Sequence, residues 1–367
     1  MKHANYVCYR LPEQKEYIRL EQHHGTPLAL LSAQELNGRK GFVFAPFHSS
    51  VQAPIWLLQA DSKARKAIDE DDDDNNGNEI TSAGDGKSYD VRKPQQKAIA
   101  NIESDNTERA SYHRRFVRCK EALTSGAIEK VVMARRVEEP LHGATNPESL
   151  FRRACRLYPH QYIALICLEH AGTWLMATPE VLLSGDGTHY QTMALAGTQA
   201  MPDDFRPGQE AAWSEKNRKE QAFVAGYISE RLLPLAGTIE RGSPYTTHAA
   251  HLLHLRTDFR FTLREGVQAG DVIDALHPTP AVGGMPKDKA VSLILSLEGD
   301  ERRYYSGYAG TIDPEGETRL FVTLRCMEIE GGRCLLHAGG GIVAESEESE
   351  EWKETEIKLN TMRDVLR

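Results

Sequence analysis

Glu351, Glu354 and Lys358 fall at i, i+3 and i+7 in Glu350-Glu351-Trp352-Lys353-Glu354-Thr355-Glu356-Ile357-Lys358. On a helix that spacing puts two carboxylates and one ammonium on a shared face. Carboxylates grouped in this way suit a hard dication, Mg²⁺ above all, which takes oxygen ligands and keeps positions open for a substrate anion. A solvated acidic helix held by i,i+4 pairs accounts for the segment equally well. Just upstream, Gly339-Gly340-Gly341 ends an apolar run and would let backbone N–H groups come close to an anion.

Four more charged residues stand among apolar neighbours. Lys130 lies in Ile128-Glu129-Lys130-Val131-Val132-Met133-Ala134-Arg135. On a strand it shares one face with Ile128, Val132 and Ala134, while Val131 and Met133 take the other. Desolvation there favours the neutral amine, a general base; the strand alone favours a lysine snorkelling from its end. Glu180 follows Pro179 ahead of Val181-Leu182-Leu183. Beside that run it could be held protonated as an acid, or serve as an ordinary turn residue. Glu220 sits one turn before Phe223 and Val224, on the face a helix would bury, and a buried carboxylate needs a cation or metal partner. A water-exposed boundary position has equal weight. Arg325, in Leu320-Phe321-Val322-Thr323-Leu324-Arg325-Cys326, reads as an arginine inside a strand. It cannot shed its charge, so burial demands a carboxylate or phosphate, and a bidentate anion clamp is the leading reading.

The elements that must position these groups are mostly strands. Pro27 to Leu31 and Gly41 to Phe47 read as short strands, and Lys93 to Ser125 has helical character. Strand signals then dominate: Ile128 to Val137, Tyr162 to Leu168, Thr173 to Met176, Val181 to Ser184 and Tyr190 to Ala194. A helix is expected from about Glu210 to Leu233, stopped by Pro234. Tyr304 to Ile312, Thr318 to Glu330 and Arg333 to Val343 predict three further strands, joined at Asp313-Pro314-Glu315-Gly316 and Gly331-Gly332. Strand runs separated by a few long helices, without regular β-α alternation, indicate α+β with large, mainly antiparallel sheets.

The chain has 367 residues, 40% hydrophobic and 26% charged, with a formal net charge of −9. That charge argues against a nucleic-acid partner, which needs a clustered basic surface, but allows a small anionic substrate in a local basic pocket. No apolar run is long enough for a membrane span, and the N-terminus lacks a signal-peptide core. Six scattered cysteines without C-x-x-C pairs suit reduced thiols in a cytoplasmic protein. Asp69 to Asp90 is acidic and almost free of apolar residues, which predicts a solvated, poorly ordered loop.

Several of these segments, in this order, resemble the chorismate-utilising enzymes, and most closely the isochorismate synthases. The motifs are Lys130 to Arg135, Thr178-Pro179-Glu180, Ala194-Leu195-Ala196-Gly197-Thr198, Lys216-Asn217-Arg218-Lys219-Glu220, His277-Pro278-Thr279-Pro280-Ala281-Val282-Gly283-Gly284, Tyr305-Ser306-Gly307, and Gly339 through Lys358. The likeness covers roughly Ala127 to Leu366. It implies the fold of that family, with 111–367 as the chorismate-binding catalytic domain and 1–110 as the N-terminal part of the same fold.

The resemblance also implies roles. Lys130 would activate the water that adds at C2 of chorismate, and Glu180 would protonate the departing C4 hydroxyl. Glu220 and Glu354 would hold Mg²⁺, with Glu351 nearby. Tyr305, Arg325 and the backbone at Gly339 would grip the enolpyruvyl carboxylate, assisted by Lys358. Gly197 and Thr198 would line the ring pocket, with His277 close to it. Ammonia-using anthranilate synthases usually lack a lysine at the place of Lys130, and aminodeoxychorismate synthases often have one where Ala196 stands. Water is therefore the expected nucleophile, with no glutamine amidotransferase partner, and a monomer is the expected form. The product would serve menaquinone or siderophore synthesis. Salicylate synthases, which go on to eliminate pyruvate, and a non-catalytic chorismate-binding subunit are the competing readings. Gln221, where relatives commonly have histidine, and Asn217, where some have an acid, depart from the pattern.

Overall fold

The computed structural model describes residues 5–68, 93–141, 146–202, 204–206, 208–249, 252–299 and 302–367, with backbone alone over 93–106. The acidic stretch 69–90 lies outside the described residues. Six N-terminal strands come first: β1 (Asn5–Arg10), β2 (Glu16–Gln22), β3 (Leu28–Leu30), β4 (Gly41–Ala45), β5 (Ile55–Leu58) and β6 (Ser62–Ala67). Then follow α1 (Lys93–Thr124), β7 (Lys130–Pro140), α2 (Pro147–Leu157), β8 (Tyr162–Leu168), β9 (Gly172–Thr178), β10 (Val181–Asp186), β11 (His189–Ala200) and α3 (Glu215–Leu232). The chain continues with β12 (Ala236–Arg241), β13 (Tyr245–Ala249), β14 (Leu252–Leu263), α4 (Ala269–Leu276), β15 (Gly284–Met285) and α5 (Lys287–Glu298). It ends with β16 (Tyr308–Ile312), β17 (Glu317–Val322), β18 (Cys326–Glu330), β19 (Arg333–Ile342) and α6 (Glu348–Leu366).

The class is α+β. One sheet runs β15-β7-β19-β18-β9-β8-β1-β2-β6, the other β12-β14-β11-β10-β17-β16-β4-β5-β3, with β13 also on β14. Neighbouring strands pair antiparallel, as the short turns at Asp313–Gly316 and Gly331-Gly332 require. Strands from 5–67 take places in both sheets, so the N-terminal segment completes the layers that the rest of the chain begins.

An aromatic layer lies between the sheets. Tyr162 of β8 stacks on Phe321 of β17 at 4.0 Å, and Phe44 of β4 stacks on Tyr304 at 4.1 Å. Each such pair contributes about 0.5–1.5 kcal/mol beyond its buried area. Helices α2 and α6 cover the outer face of the first sheet through Leu150, Phe151, Leu359 and Met362. Helices α3 and α4 cover the second through Val224, Ile228, Val272 and Ile273. Strand β7 is covered on both faces, which is why Lys130 to Arg135 are all buried. Val131 and Met133 meet α1 and α5, as the alternation predicts, and Lys130 and Val132 point the other way.

Two neighbouring strands pass from one sheet to the other together. Strand β9 becomes β10 through Pro179-Glu180, and β17 becomes β18 through Thr323-Leu324-Arg325. β9 pairs with β18 in the first sheet, while β10 pairs with β17 in the second. At the crossing, Ala177 N–H donates to Arg325 O (3.1 Å) and Val322 N–H donates to Glu180 O (2.9 Å). The expectation of one strand from Thr318 to Glu330 is thereby corrected. Arg325 is not inside a strand but at the switch, with φ of 46°. The apolar run hid the break because the residues on either side of it are buried in different sheets, and hydrophobic periodicity does not record which.

Smaller corrections follow the same logic. Strand β11 runs on to Ala200 rather than stopping near Ala194, because Gly197 (φ 70°) makes a bulge instead of a turn. The N-terminus of α3 is Glu215, not Glu210, since Ser214 caps it by accepting from Asn217 N–H at 3.2 Å. Tyr304 precedes the strand expected to include it, in a turn where Ser306 has φ of 62°.

Candidate active site

The crossing of the two sheets places an acid and a guanidinium at one cavity. Glu180 is buried, and that burial pushes its carboxyl up to about 8, outweighing the downward pull of Lys130, Arg325 and Lys358. At neutral pH it is therefore mostly protonated. Arg325 is buried as well, which disfavours its charge. One amino group, Nη2, stands 3.1 Å from His254 Nε2, while Nη1 has no hydrogen-bond partner among the described residues. A buried guanidinium with an unmet donor calls for an anion. Burial and the Arg325 charge hold His254 well below the usual histidine range, so its neutral ring accepts from Arg325. That leaves Nδ1–H facing Thr198 Oγ1 at 3.3 Å.

Strand β19 forms the opposite wall, and its glycines are there for space. A Cβ on Gly341 would lie 2.6 Å from Glu220 Oε1, one on Gly340 would lie 3.3 Å from Glu351 Oε2, and one on Gly339 would lie 2.8 Å from the Tyr305 hydroxyl. Glu220 of α3 and Glu354 of α6 thus reach the cavity beside this glycine strand, with Glu351 of α6 packed against Gly340. Each faces a lysine. Lys130 Nζ is 2.8 Å from Glu220 Oε1, Lys216 Nζ is 2.5 Å from Glu351 Oε1, and Lys358 Nζ is 2.7 Å from Glu354 Oε1. Lys358 also donates to Gly339 O at 2.8 Å. Burial would push the Glu220 carboxyl up, but Lys130, Lys358 and Lys216 hold it below the usual range. Glu351 has the opposite balance: burial and the nearby Glu354 raise it in spite of Lys216.

The cavity brings together Glu180, Gly197, Thr198, Glu220, Tyr305, Arg325, Gly339, Glu354 and Lys358. Lys130 is completely buried behind Glu220, so it does not snorkel from the end of its strand. Glu351 stands behind the wall, against Gly340. His277 is elsewhere. Its Nε2 lies 3.3 Å and 3.2 Å from the carbonyls of Pro46 and Phe47, and its ring packs edge-on to Tyr308. It caps the C-terminus of α4, and the turn after it carries Ala281 and Val282, rather than His277, into the cavity.

Two histidines that the sequence reading passed over line the cavity, His254 and His337. Leu253 and Leu255 on β14 pack with Trp213, so the alternating position of His254 on the other face was available as a signal. Gln221 turns away from the carboxylates, its amide donating to Ala194 O (3.2 Å) and Thr257 Oγ1 (3.0 Å). Asn217 packs against Gly197, where an added Cβ would meet its Cβ and carbonyl at 3.2 Å. Gly197→Ala, forced into φ of 70°, is expected to lower unfolding free energy by about 1–2 kcal/mol. A denaturant midpoint equal to that of the wild type would contradict this.

Among the described residues, no three His, Cys, Asp or Glu side chains already ring a cation-sized point. The lysines explain why, since each carboxylate is drawn to its own ammonium. The donor set nevertheless fits a hard dication: oxygen-only ligands on two helices, meeting at glycines that leave room for them.

Comparison with known proteins agrees with this architecture. The family model described as chorismate binding enzyme matches residues 56–367. An isochorismate synthase of Escherichia coli K12 is 31% identical over 264 residues, covering 71% of this chain and 68% of the relative. Anthranilate synthase component 1 of Streptomyces coelicolor is 30% identical over 273 residues, covering 71% and 52%. In structure, the menaquinone-specific isochorismate synthase of Escherichia coli superposes with a TM-score of 0.78 at 21% identity, covering all of this chain and 89% of that one. With most of its length matched by the family model and a relative above 30% identity sharing two-thirds of both chains, this chain belongs to the chorismate-binding enzyme family.

Proposed function

We propose that the protein converts chorismate to isochorismate, adding water at C2 and expelling the C4 hydroxyl, with Mg²⁺ bound by Glu220 and Glu354 and supported by Glu351. The observation that carries this reading is a buried Glu180, whose burial favours its acid form, in one cavity with the unmet Arg325 donor and with Glu220, which Lys130 backs at 2.8 Å. Isomerisation by water needs a base for the incoming oxygen and an acid for the outgoing one. In the proposed reaction Lys130, whose pairing with Glu220 a bound dication would replace, takes as a free amine a proton from water as the water oxygen bonds to C2. Both ring double bonds shift, from C1=C2 to C1=C6 and from C5=C6 to C4=C5, the C4–O bond breaks, and Glu180 gives its proton to the leaving hydroxyl, which departs as water. Arg325, with His254 behind it, and Tyr305 orient the enolpyruvyl carboxylate.

A bound Mg²⁺ would supply charge for the ring carboxylate. Because water is the nucleophile, no ammonia-supplying subunit is required. Incubating the protein with chorismate, with and without Mg²⁺, and separating products by chromatography tests the reading. Isochorismate is expected only with the metal. Salicylate with pyruvate would instead make the protein a salicylate synthase, and no turnover despite chorismate binding would make it a binding subunit.

A further inference from the structure

Of the three lysines that face the carboxylates, Lys216 alone can leave. The side chains of Lys130 and Lys358 are 0% and 15% exposed, and Lys358 is held in addition by Gly339 O. Lys216 is 36% exposed on the first turn of α3 and is not part of the cavity wall. Its partner Glu351 is the most deeply buried of the three carboxylates, with a side chain 2% exposed. A carboxylate that deep needs a counter-charge at all times. Nothing in the proposed chemistry gives Lys216 a task, so its contact with Glu351 calls for another explanation.

We propose that Lys216 is a displaceable counter-ion: it occupies Glu351 while the site lacks a dication and swings toward solvent when one binds, so that lysine and metal compete for the same carboxylate. The inference rests on the reading of Glu220, Glu354 and Glu351 as the metal-holding set. It makes Lys216 a positioning residue that keeps Glu351 folded and aimed before the cation arrives, at the cost of metal affinity. Competition of this kind sets the Mg²⁺ concentration at which the site fills, without touching the substrate.

The test is Mg²⁺ titration by calorimetry in the absence of chorismate, on the wild type, Lys216→Met and Lys216→Gln. The glutamine keeps a donor near Glu351, which protects against a variant that simply fails to fold. Both variants are expected to bind Mg²⁺ about tenfold more tightly, because a competing unit charge has been removed. Their metal-free melting temperatures should fall, while the rise on saturating with Mg²⁺ should exceed that of the wild type. Lys216→Arg, which restores the charge, should return the affinity toward the wild-type value. Unchanged or weaker Mg²⁺ affinity in both variants, with the wild type binding normally, would overturn the inference and leave the proposed activity standing. Absence of Mg²⁺ binding in every protein would remove the metal-holding set and this inference with it.

Discussion

A Lys130→Ala protein is expected to lose isochorismate formation by about 1,000-fold, within the range for removing a positioned general base, while chorismate still binds measurably. The amine would be gone, but Arg325, Tyr305 and His254 remain to hold the substrate carboxylate. The same change strips Glu220 of its counter-ion at 2.8 Å. Leaving a buried carboxylate unpaired costs about 3–5 kcal/mol, so the metal-free variant should melt well below the wild type and recover part of the loss when Mg²⁺ is added. Single-turnover rates together with binding by fluorescence quenching would separate the two effects. Near-normal turnover in Lys130→Ala would refute its assignment as the base.

Glu180→Gln is expected to lower kcat by about 100- to 10,000-fold, since the amide cannot release a proton to the departing hydroxyl. The wild-type pH profile should report the same group. Its acid form is present below about 8 and lost above it, so kcat/KM should fall as pH rises through about 8. Stability should move the opposite way in the variant. In the folded state the carboxyl is raised above its ordinary value, so its contribution to stability is fully present below the unfolded carboxylate range and is lost as pH climbs toward about 8. Above that pH the wild type carries a buried charge that Glu180→Gln does not. The variant should therefore be more stable there, by a few kcal/mol, and less active at every pH. A wild-type profile flat from pH 6 to about 10, or a variant with full activity, would show that some other group donates the proton.

Much of this site was legible because its chemistry clashes with its surroundings. Lys130, Glu220 and Arg325 each place charge within an apolar run, and the cavity or its immediate backing contains all three. The spacing of Glu351, Glu354 and Lys358 translated directly into α6, since a helix fixes its own periodicity. What stayed hidden depended on partners far away in sequence. That Lys130 faces Glu220, or that Lys216 reaches Glu351, follows from how α3 docks on β11 and α6 on β19, and no local pattern encodes it. His254 was passed over because a histidine in a strand looks like any half-buried polar residue until Arg325 is seen beside it. His277 was overvalued for the converse reason: its motif does reach the cavity, but through Ala281 and Val282.

Glu180 and Arg325 ride on a pair of strands that changes layer in step, stitched by the Ala177-to-Arg325 and Val322-to-Glu180 backbone bonds. Prising the layers apart like a clamshell would tear those stitches and drag the Glu180 carboxyl and the Arg325 guanidinium away from each other. The side chains that α3 and α6 bring to the cavity, Glu220, Glu354 and Lys358, can change rotamer without unzipping that backbone.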